Sequence, residues 1–98
     1  MTTMKIDIPD QTRVISRYGV DAQVMIHMEE CAELIQAISK MRRATNAGED
    51  GTAARENLVE EIADVLICVK QMQEIYRITD HDIRQMVEKK CKRQEARL

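Results

Sequence analysis

The chain has 98 residues, a formal net charge of −2 and two aromatic residues, both tyrosines. This length accommodates one domain, and the slightly negative charge argues against a general nucleic-acid-binding protein. The polar N-terminus differs from a signal peptide, and no apolar run approaches the roughly 20 residues that a membrane span needs, so we expect a cytoplasmic protein.

The first 20 residues predict a short extension ahead of the main domain. Met4–Ile8 alternates weakly in the manner of a β-strand, and Asp10 can cap a short helix that Gly19 ends. We therefore expect a single domain over residues 1–98, with residues 1–20 as an N-terminal extension and residues 21–98 as a helical core.

Two long amphipathic helices and a third helix are predicted next. Asp21 can cap a helix over about Asp21–Arg43, in which apolar residues recur at a spacing of three and four: Val24, Met25, Met28, Cys31, Leu34, Ile35, Ile38 and Met41. Residues 44–54 predict a loop, Arg55–Arg77 a second helix, and Thr79 or Asp80 the cap of a third. We expect an all-α, antiparallel bundle of three to four helices, with the third helix packed across the other two. Because large aromatic side chains are scarce, association between copies should complete the core.

Each long helix carries a pair of acids at a spacing of three, Glu30/Glu33 in the first and Glu61/Asp64 in the second. Such pairs arise by chance in an acidic chain, but these are flanked by apolar residues. Carboxylates beside a core face are costly unless they are paired or bound to a cation, and a set without histidine favours Mg²⁺ or Mn²⁺. The same spacing is compatible with solvated residues that form ordinary surface ion pairs.

These motifs resemble a known family. Residues 30–35 (ECAELI) and 61–67 (EIADVLI) are similar to the ExxE…ExxD signature of the MazG-like all-α nucleoside triphosphate pyrophosphohydrolases, relatives of dimeric dUTPases and phosphoribosyl-ATP pyrophosphohydrolases. The resemblance implies a homodimer or homotetramer that hydrolyses a (deoxy)nucleoside triphosphate to the monophosphate and pyrophosphate. It also implies catalytic Mg²⁺ ligands, which would be Glu30, Glu33, Glu61 and Asp64, with Glu29 or Glu60 as further candidates to orient the attacking water.

The resemblance extends to the last helix, where family members often carry a Lys-x-x-x-Asn-x-x-Arg run that helps to bind phosphate. Lys90 and Arg97 stand at its charged positions, whereas Gln94 replaces the asparagine and Arg93 could take over its contact. Lys40, in the row of the first acid pair, is a further candidate phosphate ligand. A basic last turn would equally complement the helix dipole.

Other interpretations of the same features remain open. The acid stripes and basic tail could be contacts of a non-catalytic helical dimerisation or interaction module, whereas the acidic remainder of the chain disfavours a nucleic-acid binder. We expect Tyr18 and Tyr76 to pack, and the two histidines to have surface or packing roles. The three cysteines form no metal-binding spacing and are expected to be reduced core residues: Cys31, Cys68 and Cys91.

Overall fold

The computed structural model describes residues 5–98, which form four α-helices and no β-strand. The all-α class predicted from the sequence is confirmed. The helices are α1 (Thr12–Tyr18), α2 (Val20–Asn46), α3 (Thr52–Tyr76) and α4 (Asp80–Ala96). The predicted strand is wrong for residues 5–8, which have no regular secondary structure, and Met4 lies outside the described residues.

The antiparallel pair of α2 and α3 forms the centre of the chain. The two helices run in opposite directions. Gln23, near the start of α2, is hydrogen-bonded to Gln71, near the end of α3, whereas Glu33 and Glu61 meet closer to the loop. The loop is shorter than predicted, because α2 continues to Asn46 and α3 begins at Thr52. Asp50 accounts for the early start of α3, since its carboxylate accepts the backbone N–H of Thr52 at 3.2 Å.

Few residues in the seam between α2 and α3 are fully buried. Its buried residues are three small apolar ones and three polar ones: Ala37, Ala44, Cys68, Gln23, His27 and Gln71. The apolar stripe predicted to be the core face of α2 lies largely on its outer side, where the exposed fractions reach 56% at Met28 and 68% at Ile35. The two helices instead approach along a row that includes Ala37 and Ala44, whose small side chains allow close contact.

Gly19 separates α1 from α2 and sets where α2 begins. Its backbone angles, φ 89° and ψ 153°, fall in a region that is essentially restricted to glycine. Helix α2 consequently starts at Val20, and Asp21 lies in its first turn instead of capping it. Asp10 lies just before the α1 N-cap and accepts the N–H of Thr12 at 2.8 Å, so it stabilises the start of α1 from one position earlier than expected.

Helix α4 begins with Thr79 as its cap, one of the two candidates predicted, and Thr79 forms a reciprocal capping box with Asp82. Its expected packing across the long helices is wrong within one chain, because beyond the Gln73–Asp80 hydrogen bond at its start the described residues of α4 do not pack against α1, α2 or α3. The radius of gyration is 16.2 Å, compared with about 13 Å for a compact domain of this length. None of the four helices in residues 5–98 is both long and apolar enough to cross a membrane.

Candidate metal centre

Four carboxylates face one another across the middle of the α2–α3 seam. The spacing of three places both acids of each helix on the same side, and the antiparallel pairing brings the two sides together. Ligand oxygens of Glu30, Glu33 and Glu61 lie within 4.8 Å of one another. Asp64 lies close enough to Glu30 for its negative charge to raise the pKa of the Glu30 carboxyl group. We call these four residues the carboxylate cluster.

The cluster is short of positive charge. Removal from water raises the pKa of Glu30 to about 6, and the other three carboxylates of the cluster add to this rise. Burial likewise raises the pKa of Glu61, with Glu33 and Asp64 as the nearest repelling charges. The charges that contribute most to these two shifts are negative, so an added cation would relieve both repulsion and desolvation.

The available atoms fit a hard divalent cation. The Oε2 atoms of Glu30 and Glu61 are buried and lack a hydrogen-bond partner, which is costly unless something else satisfies them. The donors are all carboxylate oxygens, the ligand type that suits Mg²⁺ and Mn²⁺. Behind them, burial and the nearby Glu30 charge raise the pKa of the Cys68 thiol to about 11, so it stays protonated and does not offer a thiolate ligand at neutral pH.

A buried polar network lies next to the cluster, toward the start of α2. The Gln71 Oε1 atom accepts a hydrogen bond from Gln23 Nε2 at 2.9 Å and contacts His27 Nε2 at 2.7 Å, and Gln71 Nε2 donates to Gln11 Oε1 at 3.1 Å. We call these four residues the glutamine–histidine network.

The Pro9 carbonyl orients every member of this network. A carbonyl can only accept, so Gln11 must direct its Nε2 at Pro9, as it does at 2.9 Å, and its Oε1 at Gln71. Gln71 must then present its own Oε1 to Gln23 and His27. Neutral His27 is thereby held with its proton on Nε2, and its Nδ1 is buried without a partner.

Sequence reasoning missed this network. It assigned His27 a surface or packing role, and the packing role is the one observed, but it gave no role to Gln23 or Gln71. A signal was present in the chain: Gln23 and His27 stand seven and three residues before Glu30, on the same helical row. Because these side chains are polar, the apolar periodicity gave no reason to place them inside.

The candidate phosphate ligands lie apart from the carboxylate cluster within one chain. Lys40 is seven residues beyond Glu33 on α2, about 10 Å along the axis, and lines a shallow depression with Glu49 and Asp50. The other candidates are exposed, with Lys90 and Arg93 on α4 and Arg97 at its C-cap. Beyond its first residue, α4 does not pack against α2 or α3.

Several smaller expectations differ from the structure. Tyr18 and Tyr76 were expected to pack, but each exposes more than half of its surface. Of the three cysteines, Cys68 is buried as expected, whereas Cys31 and Cys91 are exposed. Cys31 and Cys91 were expected in the core because each lies within a helical pattern. The helix faces that carry them are not covered within one chain.

Most of the chain is similar to a known protein family. The model of the MazG nucleotide pyrophosphohydrolase domain matches residues 21–98, a range that contains both long helices, the carboxylate cluster and α4. No curated protein and no solved structure matches the chain.

Proposed function

The chain belongs to the MazG nucleotide pyrophosphohydrolase family, and we propose that it hydrolyses a nucleoside triphosphate to the monophosphate and pyrophosphate in a reaction that depends on Mg²⁺. Water adds to the phosphate chain, the bond between the α- and β-phosphates breaks, and the proton of the water is released. The observation that carries the proposal is the carboxylate cluster, in which two buried oxygens, on Glu30 and Glu61, lack a partner.

In this proposal, Glu30, Glu33, Glu61 and Asp64 hold the metal. Bound Mg²⁺ would neutralise phosphate charge and lower the pKa of a coordinated water. The two helices hold the carboxylates in place beforehand, so little reorganisation is needed when the anionic substrate binds. Glu29 and Glu60 flank the cluster on the exposed side, where either could orient the attacking water.

Phosphoryl transfer mainly requires charge neutralisation and alignment. In addition to the metal, cationic side chains are therefore needed to contact the phosphates of the substrate. Lys40, Lys90, Arg93 and Arg97 are the residues that we propose for this role. Arginine binds phosphate in a bidentate manner and lysine as a point charge. Manganese, which accepts the same oxygen ligands, is expected to substitute for magnesium.

The test is a panel of ribo- and deoxyribonucleoside triphosphates, each incubated with the pure protein with and without Mg²⁺ and assayed for monophosphate and pyrophosphate. We expect turnover of at least one nucleotide, and none with EDTA. Glu33→Gln and Asp64→Asn should each lower kcat by about 10²–10³-fold, the scale of losing one group that stabilises transition-state charge. Glu56→Gln, an exposed acid elsewhere on α3, is the matched control and should keep full activity.

Metal binding is tested separately from turnover by a thermal melt. A ligand that binds only the folded state raises Tm, so Mg²⁺ should stabilise the wild type and the Glu56→Gln variant but not Asp64→Asn. Equal Tm values with and without Mg²⁺, together with no turnover of any nucleotide, would favour a non-catalytic interaction module and contradict the proposed function.

A further inference from the structure

Part of the N-terminal extension is tied to the inner side of the α2–α3 pair. The match to the family model begins at residue 21, so Pro9 and Gln11 lie outside it. The backbone N–H of Gln11 nevertheless donates to Glu74 Oε1 on α3 at 3.0 Å, and the Gln11 side chain accepts from Gln71 at 3.1 Å. Both bonds join residues that are distant in sequence, so the extension is a built part of the glutamine–histidine network.

The extension determines in which direction the hydrogen bonds of this network run. The Pro9 carbonyl accepts from Gln11 Nε2 at 2.9 Å, which leaves only the Oε1 atom of Gln11 for Gln71. Because one end of an amide donates and the other accepts, each residue passes this orientation on to the next. The last member, His27, therefore carries its proton on Nε2 when it is neutral, and its buried Nδ1 can only accept.

The His27 ring lies one helical turn from the carboxylate cluster. His27 precedes Glu30 by three residues on the same row of α2, about 4.5 Å along the axis, and a helical side chain leans toward the turn before it. After burial, the Glu30 charge is the main cause of the raised pKa of Cys68, which lies one turn before Gln71 on α3. The Glu30 carboxylate is therefore close to the level of the network. The Nδ1 atom of His27 and the Oε2 atom of Glu30 are both buried without a hydrogen-bond partner.

The tautomer of His27 decides whether Glu30 has a competing partner. With Nδ1 as an acceptor, His27 has no proton to give to Glu30, so the Oε2 lone pairs of Glu30 remain available to a cation. In the opposite tautomer, the Nδ1–H group would donate to an acceptor, and the charged carboxylate of Glu30 is one turn away. A hydrogen bond to an ionised carboxylate is a strong one, and it would have to weaken before Oε2 could bind a metal ion.

We propose that Gln11 is a positioning residue for the metal centre. Anchored by the Pro9 carbonyl and by its backbone bond to Glu74, it orients the network so that His27 presents an acceptor to the carboxylate cluster and leaves Glu30 to the cation. This inference rests on the proposed function, because it requires that the cluster binds Mg²⁺. It gives a part in the site to a segment that lies outside the match to the family model.

The test reverses the network from residue 11. Lysine has donors and no acceptor, so in Gln11→Lys the Gln71 amide must turn its Oε1 toward residue 11 and its Nε2 toward His27, which then carries its proton on Nδ1. An ionised glutamate only accepts, so Gln11→Glu keeps Gln71 in its present orientation. Ser16→Lys, at an exposed position of α1, adds the same charge as Gln11→Lys without touching the network and is the matched control.

Two measurements that do not need turnover follow the change. The ¹⁵N spectrum identifies the neutral tautomer of His27, which is the only histidine left in a His81→Gln background, and calorimetric titration gives the affinity for Mg²⁺. We expect Gln11→Lys to move the proton to Nδ1 and to weaken Mg²⁺ binding by about 10–100-fold, the range for loss of a group that orients a metal ligand. Gln11→Glu and Ser16→Lys should keep the wild-type tautomer and affinity.

The outcomes separate this inference from the proposed function. Gln11→Arg, which also only donates, replaces Gln11→Lys if that variant does not fold. If the proton moves to Nδ1 but the Mg²⁺ affinity stays at the wild-type value, the positioning role is wrong while the proposed function stands. A proton that remains on Nε2 in the folded variant equally overturns the inference. If the wild type neither binds Mg²⁺ nor hydrolyses any nucleotide, the proposed function is wrong, and the inference is overturned with it.

Discussion

Replacing Gln71 tests whether the glutamine–histidine network stabilises the α2–α3 pair. Gln71→Ala removes the hydrogen-bond partner of Gln23, His27 and Gln11, whose distances to Gln71 are 2.9, 2.7 and 3.1 Å. Gln23 and His27 are buried, and each polar group left unpaired costs about 1–3 kcal/mol. We expect a total loss of about 2–4 kcal/mol in the free energy of unfolding, because water entering the space would recover part of the cost.

The assay is urea unfolding at a fixed protein concentration, since association changes apparent stability. The expected loss corresponds to a fall in Tm of about 10–25 °C for a domain of this size. Gln36→Ala, at an exposed position of α2, is the matched control and should change stability by less than about 0.5 kcal/mol. Gln71→Met retains the volume but not the polar atoms, so it should also destabilise the protein if hydrogen bonding is the cause.

The reasoning would be refuted if Gln71→Ala were no more destabilising than Gln36→Ala. The ¹⁵N spectrum of His27 provides an independent check, because the network places the proton of the neutral ring on Nε2. A neutral His27 protonated on Nδ1 would show that the Gln71 amide is oriented the other way.

Two further predictions concern the carboxylate cluster and the α1–α2 junction. Without metal, the wild type should gain stability relative to Glu30→Gln as the pH falls from 7 toward 4.5. The reason is that the pKa of Glu30 is raised from 4.5 to about 6, so the folded state binds this proton at a higher pH than the unfolded state does. A relative loss of stability over that range would contradict the assigned burial of Glu30. Gly19→Ala should lower the free energy of unfolding by about 1–3 kcal/mol in urea titrations, although no neighbouring atom lies within 4 Å of the added Cβ, and an unchanged midpoint would show that the φ of 89° is not required.

Local signals in the sequence were sufficient for much of the fold. The cap of α4 could be narrowed to Thr79 or Asp80 because capping depends on residues within one turn, and the order of the helices followed from apolar periodicity and the loop glycines. The carboxylate pairs could be placed on facing helices for the same reason, since a short loop makes consecutive helices antiparallel neighbours.

The remaining features depend on contacts that are distant in sequence. Periodicity marks an apolar face on α2, but it does not say whether the covering surface belongs to the same chain, and Ile35 is consequently exposed. Gln23 and Gln71 are 48 residues apart, and a polar residue gives no sign of burial until its partner is known.

The polar seam and the exposed apolar faces follow from one constraint. A cation site between two helices needs carboxylates on the sides that face each other, and neighbouring residues of those rows cannot then form a large apolar core. The inner row of α2 accordingly reads Gln23, His27, Glu30 and Ala37, and the large apolar side chains occupy other sides of the helix. Burial of such side chains stabilises a protein by about 25 cal/mol per Å² of apolar surface removed from water. Covering the outer face with a second chain would therefore provide the hydrophobic stabilisation that the polar seam does not. Substitutions on the outer face, such as Ile35→Glu, should therefore weaken the expected association between copies, which light scattering would measure as a lower mass.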